Sequence, residues 1–208
     1  MNSKTFITLV ILCSFTAVTF AQSFTGGALL GMNASQVDGD NWSGYNKFGL
    51  MGGAFVYASL SKKVDIQLEI KYMGKGANKQ TTETDNTRYT SSLNYIELPL
   101  LIRLNTKKFG WEAGLGFGYL FASSEKDEYG KLAQGTSFKP FELSTIFGIA
   151  YKLSPKFLLN LRYSYSVLSI ANKVVDNNSP NLTYYRVGRG VYNNLFSLGV
   201  YYTIESKK

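Results

Sequence analysis

Three observations predict an all-β fold, built as an eight-stranded antiparallel up-and-down transmembrane β-barrel. After residue 23 apolar and polar residues alternate with a period of two. Short and long connections also alternate along the chain, and aromatic rings gather near the ends of the alternating runs. With 208 residues, 45% hydrophobic, the chain has the size of one domain and an ordinary apolar content.

The N-terminus comes first. Lys4 is a short basic region, Phe6 to Phe20 is an apolar stretch, and Thr19-Phe20-Ala21 places small residues at both positions read by a signal peptidase. Residues 1–21 are therefore expected to be a secretory signal peptide cleaved after Ala21, with residues 22–208 forming the barrel domain. The stretch is shorter than the ~20 residues that span a bilayer as a helix. Leu12 precedes Cys13 where a lipoprotein signal needs a small residue. Cleavage removes Cys13, the single cysteine, and Lys4, which takes the formal charge from +8 to +7.

The strands follow in order. Two Gly-rich runs, 24–34 and 47–60, have no clear face assignment. In 64–73, Val64, Ile66, Leu68, Ile70 and Tyr72 oppose Asp65, Gln67, Glu69, Lys71 and Met73. In 95–104, Ile96, Leu98, Leu100, Ile102 and Leu104 oppose Tyr95, Glu97, Pro99, Leu101 and Arg103. In 111–121, Trp111, Ala113, Leu115, Phe117, Tyr119 and Phe121 oppose Glu112, Gly114, Gly116, Gly118 and Leu120. In 141–152, Phe141, Leu143, Thr145, Phe147, Ile149 and Tyr151 oppose Glu142, Ser144, Ile146, Gly148, Ala150 and Lys152. In 157–167, Phe157, Leu159, Leu161, Tyr163, Tyr165 and Val167 oppose Leu158, Asn160, Arg162, Ser164 and Ser166. The last run, 192–204, groups Tyr192, Phe196, Leu198, Val200, Tyr202 and Ile204.

Ser61-Lys62-Lys63, Thr106-Lys107-Lys108 and Ser154-Pro155-Lys156 have the length of hairpin turns. Between them lie longer segments, roughly 35–46, 74–91, 123–138 and 170–190, rich in Asn, Asp, Ser, Thr and Gly. This is the pattern of short periplasmic turns and long outer loops, and an even strand number puts both termini at the short-turn end.

Alternation alone leaves the wet face undecided. The apolar faces carry no charge, Gly114, Gly116 and Gly118 share the polar face with Glu112, and Tyr72, Tyr119, Phe121, Tyr151, Tyr163, Tyr165 and Tyr202 fall near strand ends. All three favour lipid outside and a crowded polar lumen. Ser197 to Ile204 is similar to the C-terminal strand signal read by the barrel-assembly machinery, although Glu205 to Lys208 follow it.

The polar face nominates a structural lumen charge network: Asp65, Glu69, Lys71, Glu97, Arg103, Glu112, Glu142, Lys152 and Arg162. Buried charges have to be paired and hydrogen-bonded. Glu97 and Arg103, on one strand face, are the first choice for members. No spacing selects a catalytic carboxylate pair. The absence of His removes Ser-His-Asp hydrolases, His-ligated zinc and haem on a proximal His. No cofactor and no catalytic or metal-binding residue is expected. Asp38-Gly39-Asp40-Asn41 lacks calcium-loop spacing and is taken as a turn. The turn lysines 62, 63, 107, 108 and 156 read as solvated, without the aromatic interleaving of a nucleic-acid surface.

Gly27-Ala28-Leu29-Leu30-Gly31-Met32-Asn33-Ala34-Ser35, the Gly44-Tyr45-Asn46-Lys47-Phe48-Gly49 stretch, Leu93-Asn94-Tyr95-Ile96-Glu97-Leu98-Pro99-Leu100-Leu101-Ile102 and Gly114 to Leu120 together resemble the PorT-like outer-membrane β-barrel family of Bacteroidota. The resemblance spans nearly the whole mature chain. It implies an outer-membrane location and an eight-stranded barrel and little about activity, although the family's namesake is tied to protein secretion. The strand count, loop asymmetry and charge-free apolar faces point to a non-enzymatic, structural or accessory protein in contact with outer-membrane lipid and, during biogenesis, the barrel-assembly machinery, with outer loops that contact other envelope or secretion proteins. A small porin, an accessory of a type IX-like secretion system and a soluble periplasmic lipid-binding barrel are the alternatives.

Overall fold

A computed structural model describes residues 24–39, 44–79, 81, 86–132, 135–172 and 190–204. The signal peptide, the Asp40-Asn41 end of the suspected turn, most of 170–190 and the last four residues lie outside this set. The strands are β1 (Phe24–Asp38), β2 (Lys47–Ser59), β3 (Val64–Lys79), β4 (Tyr89–Asn105), β5 (Phe109–Asp127), β6 (Gly130–Lys131), β7 (Phe141–Lys152), β8 (Phe157–Ser166) and β9 (Tyr192–Ile204). The eight long strands pair antiparallel in chain order, and β1 pairs with β9 from Gly26↔Ile204 to Asp38↔Tyr192, which closes the ring. The two-residue β6 only folds back on the outer end of β5. Closure leaves no long strand with an open edge, the condition a sheet must meet in hydrocarbon.

The expected apolar faces point outward. Leu98, Leu100, Ile102 and Leu104 are 44%, 46%, 54% and 53% exposed, whereas Glu97 and Arg103 on the opposite face are each 3% exposed. A soluble lipid-binding barrel needs the opposite arrangement, so that alternative is corrected. Aromatic pairs stand at two levels. Phe109–Tyr151 and Phe157–Tyr202 lie beside the short turns, and Tyr72–Phe121 and Tyr119–Phe141 lie toward the other end. From Phe109 to Phe121, β5 rises roughly 40 Å along the strand, or about 28 Å along the barrel axis at a tilt of about 45°, close to the height of an outer-membrane apolar band.

The three short turns close by Leu60 N–H to Val64 O, Thr106 N–H to Phe109 O and Leu153 N–H to Phe157 O, at 2.8, 2.7 and 3.0 Å. Phe24 lies opposite Ala58 and Gly26 opposite Ile204, so β1 starts and β9 ends at this end of the barrel. At the other end the expected loops shrink. β3 continues to Lys79, β4 begins at Tyr89 and β5 reaches Asp127, with Lys75↔Leu93 and Ser92↔Ser124 in register. Strand pairing outlasts the apolar alternation because outside the hydrocarbon neither face has to be apolar.

Two irregularities shape β4. Its register with β5 shifts between Asn94 and Tyr95, which leaves Phe121 as the extra residue of a bulge. Its pairing with β3 lapses between Leu68↔Leu100 and Lys71↔Glu97, where Pro99 has no N–H to donate. Tyr192, expected on the outer face of the last run, is buried at the outer end and stacks on Tyr165 with ring centroids 5.9 Å apart.

Candidate functional site: a charge ladder in the lumen

Period-two alternation turns every second residue of each strand into the lumen, and the charged ones meet there. Arg103 Nε donates to Glu112 Oε1 at 2.7 Å. Glu112 Oε2 accepts from Arg162 Nε and from Asn160 Nδ2, both at 2.8 Å. Arg162 then grips Glu69 with both terminal nitrogens, Nη1 to Oε2 and Nη2 to Oε1, each at 2.8 Å. Lys71 Nζ stands between Glu69 and Glu97, at 3.7 and 3.6 Å. Lys75 Nζ bridges Glu97 to Glu142, the latter at 3.0 Å. Glu142 also accepts from Ser166 Oγ at 2.6 Å and from Asn193 Nδ2 at 2.9 Å.

The result is an alternating chain, Arg103–Glu112–Arg162–Glu69–Lys71–Glu97–Lys75–Glu142. Four acids face four bases, and no member is more than 5% exposed. Neutral donors and rings complete it. Gln67 Nε2 donates to Glu69 at 2.5 Å, the Tyr201 ring lies 5.1 Å from the Arg162 guanidinium carbon, and the Tyr95 ring lies 4.8 Å from Lys75 Nζ. A cation over an aromatic face is stabilised by the ring quadrupole without another formal charge. Removing one member leaves a buried charge without its partner, which costs about 3–5 kcal/mol.

The sequence-nominated residues divide as follows. Glu69, Lys71, Glu97, Arg103, Glu112, Glu142 and Arg162 all join the ladder. Glu97 and Arg103 share a strand face but have different partners. Asp65 is buried beside it and bonds neutral groups, accepting from Ser59 Oγ at 2.7 Å and Asn105 Nδ2 at 2.5 Å. Lys152 corrects the expectation: it is exposed at the short-turn rim, outside the ladder. It ends β7 where the wall stops, and a long lysine stem reaches water from there. Lys75 was missed. The flanking Gly74 and Gly76 read as loop, although Lys71, Met73 and Lys75 continue one period-two face.

Small residues make room for this. A Cβ on Gly148 would stand 2.7 Å from Arg162 Cγ, and one on Gly118 would stand 3.2 Å from Tyr95 Cδ1.

At the outer end of the ladder an apolar cluster fills part of the lumen. Val37, Ala77, Leu93, Tyr95, Ile170, Ala171 and Val191 form one buried cluster, with Leu120 and Phe138 against it. The segments around 138, 170 and 191 are laced together across the outer mouth. Lys139 N–H donates to Ile170 O at 2.7 Å, Ile170 N–H donates to Val191 O at 2.8 Å, and Phe138 bridges Ala171. Leu93, Tyr95 and Ile170 have no solvent exposure. Beside the ladder lie two more apolar groups, Met51–Met73–Leu195, whose Met73 falls between Lys71 and Lys75 on β3, and Leu29–Phe55–Tyr201, whose Phe55 stands opposite Glu69. The described lumen is thus packed over most of its length.

Comparison with known proteins agrees with the geometry. Residues 20–172 match the family model described as outer membrane protein beta-barrel domain. Ail, the attachment invasion locus protein of Yersinia pestis, solved in complex with the heparin analogue sucrose octasulfate, superposes with a TM-score of 0.52 at 12% identity, covering 88% of this chain and 99% of Ail. Neisserial surface protein A superposes with a TM-score of 0.50 at 12% identity, covering 87% and 96%. These likenesses are of fold. No curated protein sequence matches the chain.

Proposed function

The chain belongs to the outer-membrane β-barrel family, and from that premise we propose that it is a closed, non-conducting and non-enzymatic barrel whose outer end makes contacts in the envelope. The protein resides in the outer membrane, with its apolar face on lipid. One observation carries the proposal: an apolar lid built from Phe138, Ile170 and Val191 sits over a charge-balanced ladder. A porin needs a continuous water path, and a ladder whose every carboxylate is held by cations and amides offers no free general base. The ladder's role is structural on this reading.

More finely, we place the chain among PorT-like barrels of Bacteroidota. The support is the Tyr95-Ile96-Glu97-Leu98-Pro99-Leu100-Leu101 stretch, whose Glu97 is a ladder member and whose Pro99 interrupts the β3–β4 pairing. Export by a signal peptide cleaved near Ala21, insertion by the barrel-assembly machinery and an accessory part in a type IX-like secretion system belong to the same proposal. Single-channel recording tests the main claim. The refolded barrel should stay silent in a planar bilayer while showing a heat-dependent shift on an SDS gel. Regular conductance steps from that preparation would overturn it. Deleting the gene should change the set of exported proteins, and an unchanged set would remove the secretion role.

A further inference from the structure

The ladder ends before the lumen does. Beyond Arg103 and Asp65 the short-turn end widens into a cavity of about 580 Å³, walled by inward residues of β2, β3, β4, β7, β8 and β9. This volume falls in the usual range for small-molecule sites, about 300–1,000 Å³. Three cations reach it, Lys62 from the β2–β3 turn, Lys152 from β7 across the barrel and Arg103 at its floor, against one acid, Asp65.

Glu112 already pairs with Arg103 and Asp65 offsets one further charge, so the surplus positive charge comes from the two lysines. Both carboxylate oxygens of Asp65 are taken up by Ser59 Oγ and Asn105 Nδ2. Arg103 is 3% exposed; its Nε donates to Glu112, while its Nη2, 2.6 Å from the same carboxylate oxygen, is buried without a hydrogen bond. Lys62 and Lys152 are exposed and make no ion pair among the described residues. A buried guanidinium with a free donor, faced by two lysines from opposite walls, is a receptor for an oxyanion. Tyr57, Asn105 and Thr203 add neutral polar groups around the same space.

We infer that the short-turn mouth of the barrel is a binding site for a small oxyanion-bearing ligand, carboxylate or phosphate, entering along the barrel axis from the periplasm. The anion rests between Lys62 and Lys152 and reaches the Arg103 guanidinium. A free periplasmic anion and the phosphate of an inner-leaflet lipid leaning over the rim share this chemistry.

The experiment is calorimetric titration of the folded barrel in neutral detergent at low salt, with pyrophosphate and with citrate. A parallel sample is held in nanodiscs of zwitterionic lipid with and without phosphatidylglycerol. Saturable binding in neutral detergent, weakened at least tenfold by Lys62→Ala/Lys152→Ala and unchanged by Lys107→Ala, establishes the site and a soluble anion as its source. Binding of pyrophosphate in pure zwitterionic nanodiscs that phosphatidylglycerol displaces, again only when both lysines are present, establishes the site and points to the headgroup. The two lysines are exposed, so the double variant should keep the wild-type heat-dependent gel shift. No saturable heat in any arm, or equal binding by the folded double variant, overturns the inference. It is independent of whether the barrel conducts.

Discussion

Replacing Arg162 with Met removes the cation that joins the two halves of the ladder. Its guanidinium makes three hydrogen bonds of 2.8 Å, two to Glu69 and one to Glu112, and is 2% exposed. In the variant Glu112 keeps Arg103 and Asn160, but Glu69 keeps only Gln67, a 3.4 Å contact from Tyr201 and a lysine at 3.7 Å. Breaking a buried pair from one side costs about 3–5 kcal/mol, and the loss here falls on Glu69. The second variant, Glu69→Met/Arg162→Met, removes both charges and should recover part of the loss, because two well-packed apolar side chains of similar volume carry no desolvation penalty. The assay is reversible urea unfolding of the barrel in lipid vesicles, followed by tryptophan fluorescence, with all four corners of the double-mutant cycle measured. A single variant less than about 1 kcal/mol below wild type, or a double variant whose loss equals the sum of the two single losses, would refute the pairing.

Other consequences follow from the same geometry. Leu98→Arg places a charge on the lipid face at a cost of about 2–4 kcal/mol near mid-membrane and should reduce the heat-modifiable band in the outer-membrane fraction, while Lys107→Ala in a short turn should leave it unchanged. Gly148→Ala sets a Cβ 2.7 Å from Arg162 Cγ and 3.1 Å from Leu161 O. It should lower urea stability by about 1–3 kcal/mol, and an unchanged midpoint would mean that the lumen is looser than described. Ile170→Ala removes a fully buried lid residue. It should cost about 2–5 kcal/mol and speed hydrogen exchange at Leu93 and Tyr95 beneath the lid, while protection near Asn160 at the short-turn end of the ladder stays the same.

How much of this was legible follows from where the hydrocarbon constrains the chain. Within the membrane band one face must be apolar and the other polar, so alternation put Glu97, Arg103, Glu112 and Arg162 on one polar face, and the charge-free apolar faces, the glycines and the aromatic rings turned that face to the lumen. Past the band that constraint lapses. Lys75, Ser91 and Glu125 continue their strands among polar neighbours on both faces, and glycines such as Gly74 and Gly76 look like loop. Lys152 shows the converse: its parity is right, but the wall that would bury it has ended. The lid was not legible because Phe138, Ile170 and Val191 are brought together only by hydrogen bonds between distant segments. The partner of each charge was equally hidden, since Arg162 and Glu69 stand 93 positions apart in sequence and meet across the lumen. The bulge at Phe121 left no local mark, because the two-residue period is apolar enough on both sides to read through it.

The closed lumen can be tested by solvent access to its middle. A chain beginning at Gln22 lacks Cys13 and so carries no thiol. A single reporter, Ser144→Cys, then sits on the polar face of β7 at a position 2% exposed, and Ser61→Cys in the β2–β3 turn serves as the exposed control. With a charged, water-soluble methanethiosulfonate applied to the folded barrel, Ser61→Cys should be modified at once, and Ser144→Cys only after heating in SDS. Rapid modification of Ser144→Cys in the folded protein would mean that water traverses the lumen, contradicting the closed barrel.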